Sequence, residues 1–277
     1  TKWLYKGDFL KIFILYKRII IIVFLITLFI AVILFSVYYI YNNQFDITST
    51  SIACNSSISS ELIGQINQIT DEDEKIAYLT FDDGPTTSVT PKILDILKSE
   101  NVKASFFVIG KSVDVHPEIV KRAYDEGHYI ANHGYDHNNA ILYKSSESFI
   151  NEIKKTDLAI GKAIGIDDYC SHIFRFPNGF MAPLYKSKKK KAVSLLSKLN
   201  YAYIDWNCLN NDSIKKYSSS QLLDNLKRSC KNKKTLVILM HDTKDVSDSS
   251  MALKDSIAYI KSQGYEFKNF YEFIPKQ

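Results

Sequence analysis

The uncharged run at residues 19–37, IIIIVFLITLFIAVILFSV, constrains this chain more than any other feature. Thr27 and Ser36 are its only polar residues. A helix rises about 1.5 Å per residue, so about 20 such residues cross a hydrocarbon core of about 30 Å. No face of the run is polar, which argues against a helix resting on a soluble core. Lys17 and Arg18 stand directly before it, and Tyr38, Tyr39 and Tyr41 follow, where amphipathic rings favour the membrane interface. The positive-inside rule then puts the N-terminus in the cytoplasm and the rest outside. The competing reading is a cleaved signal peptide, whose apolar core usually spans about 7–15 residues and ends at a small-x-small site. The longer run and the bulky tyrosines favour an uncleaved anchor. The expected organisation is a cytoplasmic segment at 1–18, a transmembrane anchor at 19–41, an extracellular stalk at 42–75 and a folded domain at 76–277.

The formal net charge of +5 suggests nucleic acid until it is located. Residues 1–41 hold five cations and one anion, leaving 30 cations and 29 anions elsewhere. The basic balance therefore belongs to the membrane flank, and no nucleic-acid partner is expected. Residues 42–75 are rich in Asn, Ser and Thr and end in Asp71, Glu72, Asp73 and Glu74, which reads as a flexible stalk with a short helix near 61–69. Cys54, Cys170, Cys208 and Cys230 show no CxxC spacing, so a zinc ribbon is not expected. Disulfides are permitted outside the cell, and a pairing among the last three stays open.

From residue 76 onward short apolar runs alternate with amphipathic stretches. Strands are expected at 76–81, 104–109, 128–131, 172–176, 201–205, 236–240 and 266–268. Phe149, Ile153, Ile160 and Ile164 recur at helical spacing, and so do Ile257 and Ile260 before Gly264. Pro91 and Pro117 suit first turns of helices. The alternation predicts an α/β fold with a parallel sheet or barrel. TFDDGP, NHGYDH, RFPNG, DWN and LMHD each fall at the end of an expected strand. In parallel architectures the active site gathers at those carboxyl ends.

Asp82 and Asp83 are adjacent, and neighbours on a strand face opposite ways unless the following Gly84–Pro85 turn swings both into one site. Read alone, Asp-Asp-Gly-Pro is also an ordinary turn. His133 and His137 are spaced i, i+4 and face one way if the segment turns helically; solvated loop histidines are the alternative. Two histidines and one carboxylate, which Asp83 can supply, form the open three-ligand arrangement of catalytic zinc. Such a site needs a base, for which Asp82 is placed, and an acid, for which His241 is placed. Arg175 can pair with Asp82 and hold it ionised. His116, His128 and His172 are read as structural. The lysines at 186, 188, 189, 190 and 191 read as a solvated helix start, with an anion-facing patch as the weaker reading. No HExxH, GxSxG, P-loop or GxGxxG pattern is present.

In order along 76–270, TFDDGP, ASFFVIG, EGHYIANHGYDH, FRFPNG, YIDWN and LMHD resemble the polysaccharide deacetylases with a NodB homology domain, carbohydrate esterase family 4. The resemblance implies a distorted (β/α) barrel with fewer than eight regular strands. It implies Asp82 as base and Asp83, His133 and His137 as ligands of zinc, or of another divalent ion such as cobalt. It implies Arg175 as the tether of the base and the Asn178 backbone N–H as oxyanion donor. Leu239 would line the acetate methyl pocket, Trp206 would belong to the substrate pocket and His241 would be the acid.

The implied reaction removes N-acetyl groups from wall glycan, most simply N-acetylglucosamine of peptidoglycan, with lysozyme resistance as its consequence. The alternatives are N-acetylmuramic acid, an exopolysaccharide, or an anchored glycan-binding module without catalysis. Three departures bear on this. Gly134 stands where the metal motif has Ser or Thr, so a looser loop is expected. Phe176 stands between the arginine and Pro177. Leu209 stands where an aspartate is common, which leaves Asp205 and Asp212 as alternative supports of His241.

Overall fold

The computed structural model describes residues 4–43, 57–243 and 248–277, with side chains described at 11–38, 57–243 and 248–277. The chain divides into two compact units, Thr1–Asp46 and Ile47–Gln277. The first is one helix, α1 (Leu4–Asn43), which starts well before the apolar run. Its stretch Lys11–Tyr38 is long and apolar enough to cross a membrane, and none of it is buried. The side chains of Tyr39 and Tyr41, and residues 44–56 including Cys54, lie outside the described residues.

The second unit runs α2 (Ser60–Asn67), β1 (Ile76–Asp82), α3 (Thr90–Ser99), β2 (Ser105–Val108), α4 (Gly110–Val115), α5 (Pro117–Asp125), β3 (Tyr129–Asn132), α6 (Asn139–Leu142), α7 (Ser146–Ile164) and β4 (Ile173–Phe174). It continues through α8 (Lys186–Lys198), β5 (Ala202–Tyr203), β6 (Cys208–Leu209), α9 (Ser219–Cys230), β7 (Leu236–His241), α10 (Ser250–Ser262) and β8 (Glu266–Lys268). All strand pairs are parallel, in the order β5-β4-β3-β2-β1-β7-β6. β1 is the axis of the sheet. β7 lines one edge of it, while β2 and β8 share the other, β8 beside Ile76–Tyr78 and β2 beside Thr80–Asp82. The sheet curls into a half-barrel, as the distorted-barrel expectation holds. β4, β5 and β6 are two residues each, shorter than the strands expected at 172–176 and 201–205, and β6 is a further strand outside the expected set. Pro91 and Pro117 do sit in first turns, and α10 stops just before Gly264, whose φ is +80°.

β1 is buried over its whole length because packing covers both of its faces. Ala77, Leu79 and Phe81 join the outer core with Ile93, Leu94 and Leu97 of α3. Ile76 and Tyr78 join the inner core with Phe107, Tyr129, Val237 and Phe270. Thr80 and Asp82 continue that inner face, so the alternation of one strand carries a carboxylate to the mouth of the barrel.

One expectation needs correction, and one open question is answered. The stalk does not extend to residue 75, because Ile63, Ile66 and Ile69 belong to the inner core with Ile76 and Phe270. The short helix expected near 61–69 is α2, and Asn67 Oδ1 accepts the Tyr203 N–H at 2.9 Å on β5. A partly apolar helix thus covers a sheet edge that would otherwise be open. The cysteine pairing left open does not form: Cys208 and Cys230 are buried free thiols, whereas Cys170 is disulfide-bonded.

Candidate active site

Asp82 and Asp83 do reach one site, and the backbone shows how. Asp83 has φ +78°, which breaks the alternation of β1 and swings its side chain beside that of Asp82. Gly84 follows because nothing larger fits: a Cβ there would stand 1.9 Å from Asp242 Oδ2. Asp82 is 3% exposed, and its Oδ1 accepts from Arg175 Nη1 at 2.8 Å. Arg175 is fully buried and donates also to Thr80 Oγ1 at 2.8 Å, the Ile204 carbonyl at 3.0 Å and the Asp205 carbonyl at 3.3 Å. Its guanidinium lies 3.9 Å from the Phe107 ring centroid. A buried charge held by this many partners is locked in one geometry, and so is the carboxylate it grips.

His133 and His137 meet Asp83 without a helix between them. Residues 133–137 form a loop in which Gly134 has φ +86° and His137 φ +52°. Asp83 Oδ1 lies 3.4 Å from His133 Nε2 and 3.3 Å from His137 Nε2. Donors about 2.0–2.2 Å from a tetrahedral ion are about 3.3 Å apart, so the spacing suits one. Asp83 Oδ1 is also buried without a hydrogen-bond partner, an acceptor that an ion would satisfy. His133 Nδ1 donates to the Arg175 carbonyl at 2.8 Å, which leaves the Nε2 lone pair for a ligand bond. Burial alone would raise the Asp83 pKa, but His133 and then His137 hold it below the usual carboxylate range. Burial and then the charge of His133 push His137 below its ordinary value, toward the neutral form that binds metal.

The loop that carries His133 and His137 is braced by hydrogen bonds despite Gly134. Its N–H donates to Asn132 Oδ1 at 2.9 Å, and Glu152 Oε2 accepts from the N–H groups of Tyr135 at 2.9 Å and Asp136 at 3.0 Å. Gly110 and Lys111 N–H groups bind the Gly134 and Tyr135 carbonyls, both at 3.0 Å. Glu152 was missed in the sequence. Its signal is position: it sits among Phe149, Ile153 and Ile160 on the buried side of α7, where a carboxylate needs a reason.

His241 ends β7 directly across from Asp82. Its Nδ1 donates to Asp212 Oδ1 at 2.7 Å and its backbone N–H to Asp212 Oδ2 at 2.8 Å. Burial opposes the imidazolium, yet the Asp212 hydrogen bond and charge, with those of Asp82 and Asp83, bring its pKa up to about 9. Asp212 is thus the support of His241. Asp205 instead accepts from the N–H groups of Phe180 at 2.9 Å and Met181 at 3.3 Å. Ser249 and Asn210, unmarked in the sequence, complete the Asp212 network.

Asn178 sits in a turn closed by Gly179 N–H donating to the Phe176 carbonyl at 2.7 Å. Pro177 and then Asn178 at φ +63° are the central residues, as a type II turn requires. Leu239 lies on β7 opposite Thr80, and the Trp206 ring packs against Gly179 so closely that a Cβ would meet it at 2.8 Å. The lysine run opens α8 as expected, except that Lys189 is 1% exposed. His128 and His172 are structural as expected: His128 Nδ1 accepts the Ala104 N–H, and His172 Nδ1 donates to the Asn200 carbonyl.

The family profile described as Polysaccharide deacetylase matches residues 70–204. The chain is 32% identical over 196 residues to the peptidoglycan-N-acetylmuramic acid deacetylase PdaA of Bacillus subtilis (strain 168), covering 71% of this chain and 70% of that one. It is 35% identical over 205 residues to a peptidoglycan-N-acetylglucosamine deacetylase of Bacillus cereus, covering 73% and 71%. Against the N-acetylglucosamine deacetylase PgdA of Listeria monocytogenes, also 35% identical, it spans only 36% of the relative's length. The crystal structure of the catalytic domain of a peptidoglycan N-acetylglucosamine deacetylase from Eubacterium rectale superposes with a TM-score of 0.65 at 29% identity, covering 73% of this chain and 91% of that one. With the fold, the motif order and these relatives in agreement, the chain belongs to the polysaccharide deacetylase family, carbohydrate esterase family 4.

Proposed function

We propose that the chain is a metal-dependent hydrolase that removes N-acetyl groups from peptidoglycan, with N-acetylglucosamine as the sugar. The observation that carries this reading is the convergence of Asp82, Asp83, His133, His137, Arg175 and His241 at the carboxyl ends of β1, β3, β4 and β7. Asp83, His133 and His137 would hold the ion. When bound, a divalent metal supplies Lewis-acid polarisation of the acetamide carbonyl and an acidified water.

The rest is work for the chain. Asp82, aimed by the Arg175 guanidinium 2.8 Å away, takes a proton from the attacking water. The Asn178 N–H donates to the oxygen that gains charge. His241, poised by Asp212, gives its proton to the departing amine, so that acetate and a free glucosamine amine result. Leu239 lines the methyl site and Trp206 the adjoining wall. The Lys17–Arg18 flank supports an N-terminus in the cytoplasm, an anchor in α1 and a domain facing the wall.

The experiment is acetate release from purified peptidoglycan by the full chain in detergent micelles. Activity is expected, with loss in Asp82→Asn and after chelation, and recovery on adding zinc. Activity unchanged by either perturbation overturns the mechanism. Mass spectrometry of the muropeptides then identifies the deacetylated sugar; deacetylated N-acetylmuramic acid would replace the sugar assignment and keep the chemistry.

A further inference from the structure

The loop after Asn178 is held by a device that no motif reveals. The Gly179–Phe180 peptide is gripped at both ends by side chains of opposite charge. Its carbonyl accepts from Lys189 Nζ at 2.6 Å, and its N–H donates to the Asp205 carboxylate at 2.9 Å. The ammonium reaches a second carbonyl, that of Ala182, at 3.4 Å. Lys189 is 1% exposed, whereas Lys186, Lys190 and Lys191 are exposed. Removing an ammonium from water is costly unless it is paired and hydrogen-bonded. A solvated lysine on the same helix would avoid that cost, so the burial points to a task. The gripped peptide directly follows the turn that presents the Asn178 N–H, and Trp206 closes the remaining side of Gly179.

We propose that Lys189 is a positioning residue for the deacetylation: with Asp205 it locks the Gly179–Phe180 peptide and so fixes where the Asn178 N–H meets the developing oxyanion. This rests on the reading of the chain as a deacetylase with Asn178 as oxyanion donor. An oxyanion donor acts in the transition state rather than in substrate binding, so its displacement lowers kcat and leaves KM. The Lys189 ammonium bonds the Gly179 and Ala182 carbonyls and is not one of the candidate metal ligands, which separates its effect from metal loss.

The test measures kcat, KM and bound zinc for the full chain in detergent micelles, acting on solubilised peptidoglycan glycan strands. Removing one oxyanion donor outright typically costs about 100- to 1,000-fold in kcat, so a displaced donor in Lys189→Met is expected to cost about 10- to 100-fold. KM and zinc content are expected to stay within about 3-fold. In Lys189→Ala, added n-propylammonium is expected to restore kcat at unchanged KM by refilling the vacated channel. An unchanged kcat in Lys189→Met, a loss confined to KM, a loss that tracks zinc content, or no response to the amine overturns the proposal. Variants that fold in neither form make Lys189 a folding element and overturn it as well. A wild-type chain that releases no acetate instead overturns the functional reading, and this proposal falls with it.

Discussion

Glu152→Ala isolates the brace of the His133–His137 loop from the proposed ligands themselves. The carboxylate accepts two backbone hydrogen bonds, at 2.9 Å from Tyr135 and 3.0 Å from Asp136, and is not one of the candidate ligands. Hydrogen bonds to a charged group are worth about 1.5–3 kcal/mol each. Tyr135 and Asp136 are only half-buried, so water recovers part of the loss, and about 2–3 kcal/mol of loop order should go. At about 1.4 kcal/mol per tenfold, that is about 30- to 150-fold in the population with His137 in place. The remaining bonds to Asn132, Gly110 and Lys111 keep the loop attached, so the fold should persist. The assay is competition for zinc against a chelator of known affinity, with circular dichroism as the control for folding. Weakening of about 30- to 150-fold is expected, and about the same 10- to 100-fold scale is usual for groups that orient metal ligands. Glu152→Gln, which keeps an acceptor, should lose less. Zinc affinity within about 3-fold of wild type in the alanine variant would refute the claim that this carboxylate holds the site together.

Asp212→Asn removes the largest upward influence on His241, so the pKa near 9 should fall; because an acid works only while protonated, the alkaline limb of kcat/KM should move to lower pH, and an unmoved limb would exclude His241 as that acid. Ile66→Ala, at a fully buried site in α2, should cost about 2–5 kcal/mol in denaturant unfolding; a change within about 0.5 kcal/mol would return α2 to the stalk. His128 is held at a pKa of about 3 by burial and then by the charges of Lys103 and Arg122. It stays neutral in the folded chain while the unfolded chain takes up a proton below about 6.5, so stability is lost as pH falls from about 6.5 toward 3. His128→Asn keeps an acceptor for the Ala104 N–H and should flatten the dependence of unfolding free energy on pH in that window; an unchanged slope would refute the linkage.

The sequence by itself determined most of the elements and the residue types of the candidate site. Continuous apolarity marked α1, strand-and-helix alternation marked the α/β fold, and five polar clusters at strand ends marked one site. These signals are local: a hydrophobic period or a carboxylate pair is written in consecutive residues. What the sequence left open depends on groups far apart in the chain. Asp205 and Asp212 are equally plausible neighbours of His241 in one dimension, and only the return of β7 beside β6 places Asp212 under the imidazole. The lysine run reads as uniformly solvated until α8 packs down and turns one ammonium inward to a loop 10 residues earlier. Gly134 reads as a weakness until α7 brings Glu152 across 17 residues to the Tyr135 amide. The i, i+4 histidines suggested a helix, but two left-handed residues in a loop achieve the same convergence. The site's reactive groups are thus set by residue type, which sequence carries, whereas the partners that aim them are set by packing between distant segments, which only the tertiary structure supplies.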